Sequence, residues 1–142
     1  MTATNSLAIT LPALQPEDPG ARLLLFALRQ MGANGLTDAS AAHAFVTSFG
    51  KSFQRPLVLL RALVAEMSAS SARPIQIAPW CCPRMTAGEG ALLAILGRVR
   101  YNSDAALLLL DDLLGVRESL GVLATAHALA NAFADLGLPL ER

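Results

Sequence analysis

Residues 18–35 read DPGARLLLFALRQMGANG, and each part of the run argues for a helix. The Asp18 carboxylate suits an N-cap, and Pro19 suits the first helical position, where no backbone N–H is needed. Leu24, Leu28 and Met31 recur at helical spacing, and Leu25 and Phe26 widen the stripe they form. Asn34 and Gly35 both tolerate the left-handed backbone that ends helices. The run predicts a capped helix with a broad apolar face.

Outward from it the same grammar recurs. TDASAAHAFVTSF, residues 37–49, is capped by Thr37 or Asp38 and ended by Gly50, with Ala42, Phe45, Val46 and Phe49 on one face. PLVLLRALVAEM, residues 56–67, aligns Leu57, Leu60, Val64 and Met67, and Leu59 and Leu63 extend that face. Thr86-Ala87-Gly88-Glu89 has the form of a capping box, in which each end side chain satisfies a free N–H of the other, so a helix runs from there to about Arg100. SDAALLLLDDLLG, residues 103–115, is capped by Ser103 or Asp104. RESLGVLATAHALANAFADLG, residues 117–137, carries the stripe Val122, Ala126, Leu129, Phe133, Leu136 and closes at Gly137. Residues 73–84 form the one long irregular stretch. Its PIQIAP segment reads as at most a short extended piece, because three prolines in the region exclude a regular strand. The expectation is an all-α single domain over residues 16–142, a bundle or irregular array of about six helices with one long loop carrying prolines and cysteines. Residues 1–15 lack periodicity and are expected as a flexible N-terminal arm.

Composition narrows the function classes. The 142 residues are 54% hydrophobic and only 15% charged, against about 45–50% and 25% in ordinary globular chains. A surface so short of charge points to partial coverage by another protein. No stretch approaches the roughly 20 apolar residues of a membrane span. The start lacks a secretory pattern, since no Lys or Arg precedes Arg22 and the Leu7–Leu14 stretch is broken by Pro12. A cytoplasmic protein is expected, and its reducing surroundings disfavour a structural disulfide. Residues 51–100 hold seven basic groups and two acidic ones, whereas residues 101–142 hold two basic and six acidic. The simpler reading is that these parts pair within the fold; the sharper one is a dipolar surface that docks a partner. There is no basic block, so nucleic acid is not an expected partner; Arg98 and Arg100 fit a helix C-terminus.

The sequence APWCCPRMTAGEG, residues 78–90, holds both cysteines and the single tryptophan. Cys81, Cys82 and Met85 place three soft sulfurs within five residues, a donor set that suits Cu(I). Cys82-Pro83 is similar to short haem-ligating Cys-Pro dipeptides. Adjacent cysteines do not make the spaced pair of a structural zinc site. The plainer reading is that Trp80, Cys81, Cys82 and Met85 plug a corner of the bundle, unpaired cysteine being among the most buried residue types. His43 and His127 lack an orienting partner in their helices; Asp135 is eight residues from His127, about 12 Å along the axis. Asp111 and Asp112 sit in a last helical turn, where the dipole disfavours anions, so an arginine or a partner is expected to offset them. A dinucleotide fingerprint, a P-loop, a zinc-protease helix and a nucleophile elbow are all missing.

RLLLFALRQM, RPLVLLRALV, APWCCPRMT and ALANAFADLG together resemble an uncharacterised family of small alphaproteobacterial proteins. The resemblance covers most of the chain, and CCPRMT is its most distinctive part. It implies a helical fold and a bacterial cytoplasm and adds no chemistry.

The reading these features support is a non-enzymatic helical interaction or regulatory protein. It self-associates or binds another bacterial protein, and Leu59, Leu63, Leu109, Leu113, Asp111 and Asp112 are its interaction residues. No cofactor is expected. The alternative is a Cu(I), haem or thiol-redox module centred on Cys81, Cys82, Pro83, Arg84 and Met85. A small cysteine enzyme is the third reading.

Overall fold

The computed structural model describes residues 13–140. Among them six α-helices are formed: α1 Pro19–Asn34, α2 Ala39–Phe49, α3 Gln54–Ser70, α4 Ala87–Arg98, α5 Ser103–Leu114 and α6 Leu120–Asp135. A single 3-10 turn, Gly50–Ser52, joins α2 to α3. The one strand pairing is a two-residue contact, β1 Ala13–Leu14 antiparallel to β2 Arg84–Met85, with Leu14 opposite Arg84. The all-α expectation holds.

Local chemistry explains where the helices begin and end. The Asp18 carboxylate accepts the Ala21 N–H at 3.0 Å, and Asp38 does the same for Ala41 at 2.9 Å. The Gly35 N–H returns to the Met31 carbonyl and closes α1. Two expected starts move. Asn102, not Ser103 or Asp104, caps α5 by accepting the Ala105 N–H at 3.2 Å. Helix α6 begins at Leu120 rather than Arg117, with Ser119 at the N-cap position and its hydroxyl donating to the Asp111 carboxylate.

The helices pack chiefly as α4 on α5, α3 on α6 and α1 on α2, with α4 and α5 both reaching α6. One continuous apolar core results, into which Leu24, Leu28, Leu60, Ile95, Leu110 and Phe133 all project. Phe45, Phe49 and Phe133 meet edge to face at centroid separations of 5.2–5.8 Å and fasten α2 to α6. In α2 the buried residues are Ala41 and Phe45, and Val46 is exposed. The apolar face is turned slightly from the expected one, because the aromatic cluster sets the angle of the helix.

One sequence expectation about α3 is corrected by this packing. Leu63 is 0% exposed and belongs to the core. Leu59, Leu109 and Leu113 are partly buried and pack against that core. Leu63 thus serves the core, whereas Leu59, Leu109 and Leu113 keep part of their surface exposed. Leu63→Ala is expected to destabilise the protein by about 3 kcal/mol. Val58→Ala, on the exposed side of the same helix, is expected to change stability by less than about 0.5 kcal/mol. Urea unfolding of the pair checks both, and equal effects would contradict the packing.

The expected flexible arm, residues 1–15, lies outside the described residues as far as residue 12. From Ala13 the chain is paired to β2, and the Gln15 N–H donates to the Pro83 carbonyl at 2.9 Å. Among the described residues no helix is long and apolar enough to cross a membrane.

Candidate functional site

The loop between α3 and α4 is irregular in backbone yet tightly held. Its first part, Pro74–Ala78, forms neither helix nor strand and passes close to Gly32 of α1 and Gly88 of α4. This strap rests on two glycines. A Cβ on Gly88 would stand 2.9 Å from the Ile75 Cγ2, and one on Gly32 would stand 3.3 Å from the Ile77 Cγ2. At Gly88 a side chain would force the strap to shift, and at Gly32 it would press the strap outward by a few tenths of an ångström. Beyond it, the Cys82 N–H bonds the Pro79 carbonyl at 3.0 Å. That bond closes a four-residue turn with Trp80 and Cys81 at its two corners.

A buried ion pair holds the base of this turn. Arg29 is 2% exposed and Glu89 is 0% exposed. The guanidinium grips the carboxylate through two bonds, Nε to Oε2 at 2.8 Å and Nη2 to Oε1 at 3.0 Å. It also donates to the Cys82 carbonyl at 2.7 Å and to the Arg84 carbonyl at 2.8 Å. Glu89 accepts two further N–H groups, Ala78 at 3.1 Å and Thr86 at 2.9 Å. The Thr86 hydroxyl accepts the Glu89 N–H and donates to the Gln76 carbonyl at 2.6 Å. A buried pair justifies its desolvation only when its other donors and acceptors are also satisfied. Here the carboxylate has four bonds and the guanidinium uses four of its five donors. Two helices and a loop, distant in sequence, are locked at one point.

The capping box at Thr86–Glu89 was legible in sequence; Arg29 was not singled out. Its signal was present. Arg29 stands four residues after Leu25 and one after Leu28, so the apolar stripe of α1 carries a charge into the core. A charge in register with such a stripe calls for a buried partner.

The turn contradicts the expectation of an apolar plug. Trp80 is 66% exposed and Cys81 is exposed, while Cys82 is half-buried. Met85 alone enters the core. The three sulfurs therefore occupy three environments. Both histidines are exposed, and among the described residues no three His, Cys, Asp or Glu side chains gather to hold a metal. Exposed Leu14, paired with Arg84, lies beside the turn and extends its apolar surface.

Of the predicted acidic pair, Asp111 is held through its carboxylate and Asp112 through its backbone carbonyl. Asp111 accepts from the Ser119 hydroxyl. The Asp112 carbonyl accepts Arg73 Nη2 at 2.8 Å. An arginine from the loop thus caps the α5 C-terminus, but it bonds the backbone and not the Asp112 carboxylate. An ion pair joins the two oppositely charged chain parts, Arg55 to Asp135 at 3.3 Å, and both its side chains are exposed. On α5, Asp104, Leu108 and Asp112 are exposed at successive turns, and Leu108 is 73% exposed.

Comparison with known proteins gives a match to one family model, described as a family of unknown function (DUF6628), over residues 2–139. No curated protein and no solved structure matches the chain.

Proposed function

The chain belongs to this family of unknown function, DUF6628, and on that premise we propose that it is a non-enzymatic, self-associating helical module that docks through the Trp80 turn. The observation that carries the reading is a large aromatic side chain, 66% exposed, on a turn whose base is fixed by a saturated buried ion pair. Tryptophan is enriched among the side chains that dominate binding energy. A turn ordered in advance loses little entropy on docking.

A second copy is the partner that the charges favour. Arg84 is exposed beside the turn, in the basic part of the chain. The outward face of α5 carries exposed Leu108 between Asp104 and Asp112, in the acidic part. The turn of one copy fits that face of another by apolar contact and opposite charge. In the bacterial cytoplasm that the family resemblance implies, Cys81 and Cys82 stay reduced at the edge of this contact.

Size-exclusion chromatography with light scattering tests the reading. The wild type is expected to exceed its 14.9 kDa monomer mass as concentration rises. Trp80→Ser is expected to weaken association about 30-fold, the cost of losing a side chain worth roughly 2 kcal/mol. Leu108→Lys is expected to act in the same direction. A wild type that stays monomeric at high concentration, or a Trp80→Ser variant that associates unchanged, would refute it.

A further inference from the structure

We infer that the cleft between the strap and α3 is a strand-addition site, which takes an extended apolar peptide ending in an acidic group. The cleft encloses about 640 Å³, within the range of roughly 300–1,000 Å³ typical of ligand sites. Val64, Met67 and Ser68 of α3 form one wall, and Ile75 and Ile77 of the strap form the other.

The strap backbone supplies the argument. In an extended chain the N–H and C=O of one residue point to one edge, and those of its neighbours point to the other. The Gln76 carbonyl and the Ala78 N–H are bonded to Thr86 and Glu89, on the α4 side. Ile75 and Ile77 therefore present their N–H and C=O groups to the opposite edge. Among the described residues neither has a backbone hydrogen bond there. Ile77 lines the cleft with α1 and α3, and Ile75 lines both the cleft and a smaller hollow of 280 Å³ on the α4 side. Unpaired groups on a strand edge beside an apolar groove are what an added strand recognises.

Charge sets the end of the peptide. Arg73 is the single charged residue lining the cleft, and its bond to the Asp112 carbonyl leaves other donors free. An antiparallel strand would bring its C-terminal acid to Arg73, the residue that precedes the strap.

The test uses an acetylated hexapeptide of alternating valine and threonine that ends in aspartate with a free carboxylate. Amide exchange of the full chain is followed by NMR during titration. Saturable binding is expected, with exchange slowed at the Ile75 and Ile77 amides. The same peptide N-methylated at alternate residues keeps its side chains but cannot form the ladder, and is expected not to bind. Arg73→Gln is expected to weaken binding about 10-fold, as for loss of one charge-assisted bond, and Ser68→Trp to block it. Equal binding by the N-methylated peptide would overturn the proposal, as would absence of binding. Protection by sodium decanoate in place of the peptide, or by raising the protein concentration alone, would also overturn it, because the occupant would then be an amphiphile or a second copy. Trp80→Ser is expected to leave peptide binding intact, so the outcome is independent of the self-association proposed above.

Discussion

Glu89→Ala is expected to lower the stability of the protein by about 3–5 kcal/mol, a large part of the roughly 5–15 kcal/mol of a typical domain. The melting temperature should fall by roughly 10 °C or more. The cause is the group left behind. Without the carboxylate, the Arg29 guanidinium stays inside at 2% exposure with no counter-charge. The Ala78 and Thr86 N–H groups lose their acceptors as well. A joint replacement by Arg29→Met and Glu89→Leu separates two explanations. Exchanging a buried pair for apolar residues is often neutral or stabilising. Here it should not be, because the Arg84 carbonyl and the Ala78 and Thr86 N–H groups depend on the pair, whereas the Cys82 carbonyl keeps its bond from the Gln15 amide. Each orphaned buried group costs about 1–3 kcal/mol, so the double variant should remain at least ~2 kcal/mol below wild type in urea unfolding. A double variant as stable as wild type would mean that the pair is an isolated charge contact and does not hold the loop.

Phe133→Ala is expected to cost about 4 kcal/mol. Phe133 is fully buried, and both Phe45 and Phe49 meet it edge to face, at 5.8 and 5.2 Å. Removing it opens a cavity where α2 meets α6 and forfeits two ring contacts, each worth about 0.5–1.5 kcal/mol beyond its buried area. Phe133→Leu keeps most of the volume and should cost less than half as much. Chemical denaturation reads both, and a leucine variant as unstable as alanine would show that ring geometry outweighs volume at this joint.

The helices were legible because their signals are local. Asp18-Pro19 and the Thr86–Glu89 box announce starts within four residues, and the stripes announce faces within two turns. What the faces pack against was not legible. Leu63 lies on the flank of a broad stripe, and periodicity alone could not say whether that flank met α6 or a partner. The Arg29–Glu89 pair spans 60 residues of sequence, so no local spacing marks it. The loop misled for another reason. Trp80 and Cys81 are residue types that usually lie inside, but here the backbone around them carries the structural role. The Cys82 carbonyl serves Arg29, and the turn bond from Cys82 to Pro79 then lifts the two side chains before it into solvent.

The central claim is that a buried ion pair holds the exposed Trp80 turn rigid, and the chain has a single tryptophan to report on it. Time-resolved fluorescence anisotropy of wild type and Glu89→Ala, in native buffer at low concentration, is the direct measurement. The account predicts water-exposed emission in both. It predicts decay at the overall tumbling rate in the wild type, and an added fast component in the variant. A fast component already present in the wild type, or decays that are the same in both proteins, would contradict it.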